Sequence, residues 1–227
     1  MTCAVGLAPS PGPTSVADLT IDVVGVRVER YAAVPTIMWS FRMRESTGAT
    51  VHTVALHTQV RIEAQRRHYD GDERDRLLDM FGEAAQWGES LKPFVWAHID
   101  ATVSGFTDET VVELPMACTY DFEVIGAKYL HALNDGEVPL VFLFSGTVFT
   151  KGENGFAAGL VPWHLESRFR LPVAVWREMM DAYFPGGGWL RMDRQSIDRL
   201  QAFKARRALP TWEQAIAALF KEAGEEG

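Results

Sequence analysis

His98 and Asp100 stand two positions apart in an alternating segment, so an extended chain sets both on one face together with Trp96. There the carboxylate could orient the imidazole, or both could ligate a metal ion. Two donors fall short of a site, and spacing alone places no third. Cys118 precedes Asp121, Glu123 and His131, a set that would suit a thiolate nucleophile or a metal. On an extended chain, however, Cys118 points away from Asp121 and Glu123, and a buried unpaired cysteine packs as a small apolar residue; packing is therefore the expectation. Trp163 and His164 place an aromatic and a titratable group side by side.

Other motifs fail on context. Phe144-Ser145-Gly146-Thr147 is flanked by strand on both sides and lacks the G-x-S-x-G of a nucleophile elbow, so Gly146 marks a bend or a close approach of another backbone. Gly186-Gly187-Gly188 lies between helices and not after a strand, which suits a connection and not a phosphate loop. Arg61, Arg66, Arg67 and His68 form the one locally basic stretch, read either as a solvated strand end or as a surface for an anionic partner. Seven tryptophans exceed what a core of this size requires, and those near the glycine-rich turn and the last helix suit interface anchors. The sequence assigns no catalytic residue, no cofactor and no metal ligand set. Trp96, His98, Asp100, Cys118, Trp163 and His164 are the candidate surface for a ligand or partner.

Most of the elements that would position these residues are strands. Val24, Val26 and Val28 alternate with Gly25, Arg27 and Glu29; Ile37, Trp39, Phe41 and Met43 do the same, as do Val54, Leu56, Val60 and Ile62. The short Ser46-Thr47-Gly48 turn predicts an antiparallel hairpin between the second and third of these strands. A short helix with Leu77, Met80 and Phe81 on one side follows, its first turn loaded with Asp72 and Glu73 and its end closed by Gly82; it should lie across a sheet edge or an open end of the core. Strands resume over residues 94–103 and 111–115, and Cys118 to Val124 alternates as a further strand. After the Asn134-Asp135-Gly136 turn, residues 139–149 are apolar on both parities, which predicts a central strand covered on both faces. Residues 160–171 return as one strand.

The period then changes from 2 to 3.6. Helices carry Val173, Trp176, Met180 and Tyr183, then Ile197, Leu200 and Phe203 behind the cap Asp193, then Ile216, Leu219 and Phe220 behind the capping box Thr211-x-x-Gln214. The fold class is α+β: an antiparallel β-sandwich over residues 20–171 with a short inserted helix, and a C-terminal three-helix cap over 172–227. Residues 1–19, rich in Pro, Ser and Gly, read as a disordered tail.

Composition narrows the function classes. With 30 acidic against 22 basic residues the net charge is −8, which disfavours a nucleic-acid binder. Two cysteines exclude a disulfide framework and a four-cysteine zinc site, and point to a reducing cytoplasm. No apolar run approaches the roughly 20 residues that span a bilayer, so no membrane partner is expected.

Several motifs together resemble an uncharacterised bacterial family, domain of unknown function 6084. They are A-x-P-T at Ala33 to Thr36, R-R-x-Y at Arg66 to Tyr69, C-T-Y-D-x-E at Cys118 to Glu123, G-E-V-P-L at Gly136 to Leu140, F-S-G-T-V-F at Phe144 to Phe149 and L-P-x-x-x-W at Leu171 to Trp176. The resemblance implies an actinobacterial setting, often near genes for nickel-iron hydrogenases and their accessory proteins, and carries no functional residue. Taken with the lack of a catalytic constellation, it predicts a non-enzymatic accessory or interaction protein that assists assembly of a nickel-iron hydrogenase or another metalloenzyme, with a hydrogenase subunit or accessory protein as the expected partner. The alternative is a small-molecule or metal-ion binding domain lined by Trp96, His98 and Cys118.

Overall fold

The computed structural model describes residues 18–119, 121, 124–152, 155–187 and 190–225. Among the described residues, eight strands form two antiparallel sheets, which with the helices make an α+β fold. The first sheet has β2 (Thr36–Glu45) between β1 (Leu19–Glu29) and β5 (Glu109–Ala117). The second has β3 (Val51–Ile62) between β4 (Phe94–Phe106) and the long β6 (Glu137–Gly152). β7 (Gly155–Leu160) and β8 (Glu166–Pro172) lie end to end along the far side of β6. β6 is therefore the central strand that its apolar run predicts. Val138 to Phe142 is buried without interruption, whereas Phe144 to Val148 returns to one wet face, with Ser145 exposed.

The two sheets meet face to face through aromatic residues. Trp39 on β2 is wholly buried, and its ring meets Phe142 on β6 edge-on at 4.9 Å and Phe169 on β8 at 5.6 Å. Phe41 meets Phe142 at 5.8 Å and Phe144 at 6.0 Å in the same manner. Such edge contacts contribute about 0.5–1.5 kcal/mol each beyond the area they bury.

β2 and β3 do not form the expected hairpin; they belong to different sheets. The Glu45 carboxylate accepts from the Thr47 and Ala49 amides at 3.0 and 2.8 Å and from the Thr47 hydroxyl at 2.6 Å, so the turn is bent into a crossing between layers. Both strands bury one face in the same core, and alternation cannot distinguish a neighbour in the sheet from a partner across the sandwich. The expected single strand over 160–171 is likewise two strands. Pro162, which has no N–H for a ladder, sits in the loop where β6 exchanges β7 for β8.

The insertion between β3 and β4 is α1 (Gly71–Arg76) and α2 (Leu78–Phe81), broken at Leu77, followed by the short turn α3 (Trp87–Ser90). Asp70 and Glu73 form a capping box at the start of α1, and Gly82 ends α2 at φ 72°. The expected strand from Cys118 to Val124 is absent where the chain is described: Cys118, Thr119, Asp121 and Val124 lie in no strand, and Tyr120, Phe122 and Glu123 lie outside the described residues. A helix, α4 (Ile125–His131), follows and buries Gly126, Ala127, Tyr129 and Leu130, a helical stripe within a segment dominated by strand-like residues.

α5 (Val173–Tyr183) buries Val173, Trp176, Met179 and Met180, and the one proton of its Tyr183 hydroxyl is shared between the Glu29 and Ala32 carbonyls at 2.8 and 3.0 Å. It belongs to a compact unit that ends at Gly188, and residues Trp189–Gly227 form a second unit. Within that second unit are α6 (Arg194–Arg206), capped by Asp193, and α7 (Trp212–Ala223), capped by Thr211. Among the described residues, no helix is long and apolar enough to cross a membrane.

Candidate functional site

Trp96 is separated from His98 and Asp100 by a β-bulge. The β3–β4 ladder pairs Val60 with Ala97 and Arg61 with Val95, leaving Trp96 as the extra residue. The bulge resets the alternation, so Trp96 packs against the core while His98 and Asp100 stay on the open face. The indole meets Trp176 of α5 at 6.2 Å and lies close over Gly126 of α4, where a Cβ would come within 2.4 Å of Cδ1. The expectation that the three residues share a face is corrected by this one-residue insertion.

The neighbour of His98 and Asp100 that spacing could not supply is His57, opposite Asp100 in the ladder. Its Nδ1 lies 2.5 Å from Asp100 Oδ1, its ring stacks on His98 at 5.3 Å, and His98 Nε2 is 3.2 Å from Gln59 Nε2. Ser145 on β6 pairs with His57 from the other side, so Asp100, His57 and Ser145 occupy one row across three strands. Among the described residues no hydrogen bond joins Ser145 to His57, and no three His, Cys, Asp or Glu side chains are grouped to hold a metal ion. The row lies on an open sheet face, with backbone groups tied into ladders. This arrangement fits cross-strand polar pairing. The parity of His57 was legible; the identity of its neighbouring strands was not.

Cys118 follows the end of β5, its Sγ 3.6 Å from the Met116 carbonyl. Burial pushes its thiol up to about 12. A thiol that keeps its proton is a poor nucleophile, so iodoacetamide at neutral to mildly alkaline pH should alkylate Cys118 at least about a hundredfold more slowly in the folded protein than in urea. Mass spectrometry of the peptide that contains Cys118 separates it from Cys3; equal rates in the two states would refute this placement. Trp163, 91% exposed, and His164 pair edge-on at 5.8 Å in the β7–β8 loop. Among the described residues no hydrogen bond or ring contact joins that pair to the His98 face.

A further apolar surface lies elsewhere, on the helical hairpin. Of all the residues in α6 and α7, only Ala215 is buried. Leu200, Phe203, Ile216 and Leu219, with Leu190 and Met192, line a groove of about 720 Å³. Its charged lining residues are Arg199 and Arg206; there is no carboxylate, and neither arginine forms an ion pair among the described residues. Neighbouring cations are engaged: Arg207 pairs with Glu222 and stacks over Phe203 at 4.8 Å, and Lys204 lies 5.3 Å over Trp212. Sequence periodicity identified Ile216, Leu219 and Phe203 as the helix stripes but gave no sign that they stay open.

A family described as a family of unknown function, DUF6084, matches residues 16–227. The chain belongs to DUF6084. No curated protein matches this DUF6084 chain. Solved structures similar to it include a CARDB domain from Pyrococcus furiosus in complex with di-metal ions, at 10% identity and TM-score 0.28, covering 71% of this chain and 96% of that one. A putative ApaA protein from Bordetella pertussis is similar at 14% identity and TM-score 0.25, covering 70% of the DUF6084 chain and 96% of its own. Scores this low describe a loose likeness.

Proposed function

We propose that this DUF6084 protein is a non-enzymatic accessory protein of the cytoplasm that binds a partner protein through the groove between α6 and α7. One observation carries this reading: two capped helices of 13 and 12 residues bury a single side chain and leave an apolar groove uncovered. A helix pair in water is held by its apolar face, so an open groove of this kind suits an amphipathic helix laid along it. The charges favour a different protein over a second copy of this chain. A two-fold copy would bring Arg199 and Arg206 against the same pair, whereas a helix with acidic residues beside its apolar stripe would neutralise them. The family resemblance adds the partner class, a nickel-iron hydrogenase subunit or accessory protein, and the pair of cysteines adds the reducing compartment.

The test is co-purification of the tagged full chain from its host at physiological salt, beside an Ile216→Asp, Leu219→Asp variant, with cross-linking to locate the contact. Both residues are more than a third exposed, so the variant should fold as the wild type does while losing the partner by about a hundredfold. An acidic amphipathic helix cross-linked to α6 and α7 is the expected result. Partner recovery unchanged by the variant, or a homodimer closed over this face, would overturn the reading.

A further inference from the structure

On the open face of the second sheet, where β3, β6 and β8 run side by side, three arginines converge on one small hollow. Arg66 comes from the 3₁₀ turn after β3, and Arg168 and Arg170 come from β8. With Glu63 and Pro139 they line a cavity of about 230 Å³, which the chain at Leu140 and Phe169 also borders. A second hollow of about 410 Å³ shares Arg66 and Arg170 as walls, and the carboxylates of Asp70, Glu73, Asp135 and Glu137 also line it. Arg61 adds a further charge in the same row, since Arg61, Val141 and Arg168 are register partners across three strands; its Nε is buried with no hydrogen-bond partner among the described residues.

The balance of charge inside the small cavity is uneven. Glu63 is its one carboxylate, and it is held by the inner nitrogens of two arginines, Arg66 Nε at 3.2 Å and Arg168 Nε at 3.8 Å. The terminal nitrogens are less fully used. Arg168 Nη2 reaches Glu166 at 2.7 Å, and Arg170 Nη1 is 3.9 Å from Glu137, both carboxylates lying outside the small cavity. With Arg61 counted, four guanidinium groups meet three carboxylates, Glu63, Glu166 and Glu137, so the cluster keeps one positive charge in excess on a chain whose net charge is −8. The hollow is smaller than the roughly 300 Å³ at which small-molecule pockets begin, so it suits a single charged group and not a whole nucleotide.

We infer that this hollow is a binding site for a phosphate-class anion, either free phosphate or the phosphoryl group of a phosphorylated side chain. A tetrahedral anion offers acceptor oxygens in several directions to donors arriving from two different elements, which a flat carboxylate does not. Glu63 then has a defined role: it orients Arg66 and Arg168 through their Nε atoms and leaves their outer edges for the ligand.

The experiment is isothermal titration of the full chain with inorganic phosphate at constant ionic strength, sodium chloride replacing phosphate in the control. Saturable binding at millimolar concentration or tighter is expected. Arg66→Ala with Arg170→Ala, which removes the two walls common to both hollows at positions more than half exposed, should weaken it about tenfold or more with an unchanged melting temperature. Glu63→Gln keeps the shape and removes the competing charge, so it should tighten binding several-fold. O-phosphoserine separates the sources: tighter binding than phosphate points to a phosphorylated protein segment, and equal binding points to the free ion. Absence of saturation, equal displacement by chloride, or wild-type affinity in the arginine double variant would overturn the assignment.

Discussion

Replacing Gly146 with alanine should destabilise the sandwich by about 3–5 kcal/mol, enough to unfold a domain of ordinary stability at modest urea concentration. Gly146 has φ 140°, a region that side chains with a Cβ rarely adopt, and an added Cβ would sit 2.0 Å from the Ala55 carbonyl oxygen on β3. That oxygen belongs to a backbone paired on both sides, so it cannot swing away as a side chain would. The conformation follows from what β6 does at this point. The Phe144 amide still donates to Leu165 O at 3.2 Å, beside β8, while the Gly146 carbonyl accepts from the Val161 amide at 3.0 Å, beside β7. A strand that changes partner on one edge must bend there without losing β3 on the other. Gly48→Ala is the matched control, since Gly48 has φ 80° with nothing within 4 Å of an added Cβ, and it should lose only about 1 kcal/mol. Urea titration of both variants with an unchanged slope checks the difference; a mild loss at Gly146 would mean that β6 can relax away from β3.

Gly146 also shows what was legible in the residues. A glycine between strand-like flanks announced a close backbone approach, and Ala55 provides it. Alternation correctly identified the buried residues of β2 and β3, including Trp39, Phe41, Leu56 and Val60. Two bulges set its limit. Val24 and Trp96 are each skipped in their ladders, and each reverses the parity of everything beyond it. Hence Val24 is 39% exposed although Val26 and Val28 pack on the core, and Trp96 turns inward away from His98. A bulge inserts one residue without changing residue type, so periodicity cannot register it. Pairing was equally hidden. Asp100 and His98 were visible as a face, but His57 joined them only once β3 and β4 were known to be neighbours. The same holds for the arginine hollow, whose basic stretch at Arg66 was apparent in sequence while Arg168 and Arg170 reach it through β8, roughly a hundred residues later.

Glu73→Ala should destabilise the protein by about 3–5 kcal/mol, because it leaves a buried guanidinium without its counter-charge. The Arg67 and Glu73 side chains are only 8% and 3% exposed, and they are joined by Nη1 to Oε2 at 2.7 Å and Nη2 to Oε1 at 2.9 Å. Glu73 also accepts from the Asn134 amide at 2.8 Å, and Arg67 donates to the Asp135 carbonyl at 2.5 Å, so the pair ties α1 to the turn that starts β6. Burial alone would push the Glu73 carboxyl up; the hydrogen bonds from Arg67 and from the Asn134 and Asp70 amides outweigh it and hold the group below the usual carboxylate range. A depressed folded-state value means that the stabilisation is complete above the unfolded value, about 4.3, and is lost as pH falls through the folded one. Wild-type stability should therefore drop below about pH 4 and the Glu73→Gln variant should lack much of that drop, so the two urea midpoints converge in acid. Parallel curves would show that the pair is spectator to folding. Because Arg66 stands next to Arg67 at the end of the same turn, loosening this pair should also blunt the phosphate response of the arginine hollow in Glu73→Gln while its Arg66 and Arg170 side chains remain intact. An unchanged response would separate the anchor from the site it borders.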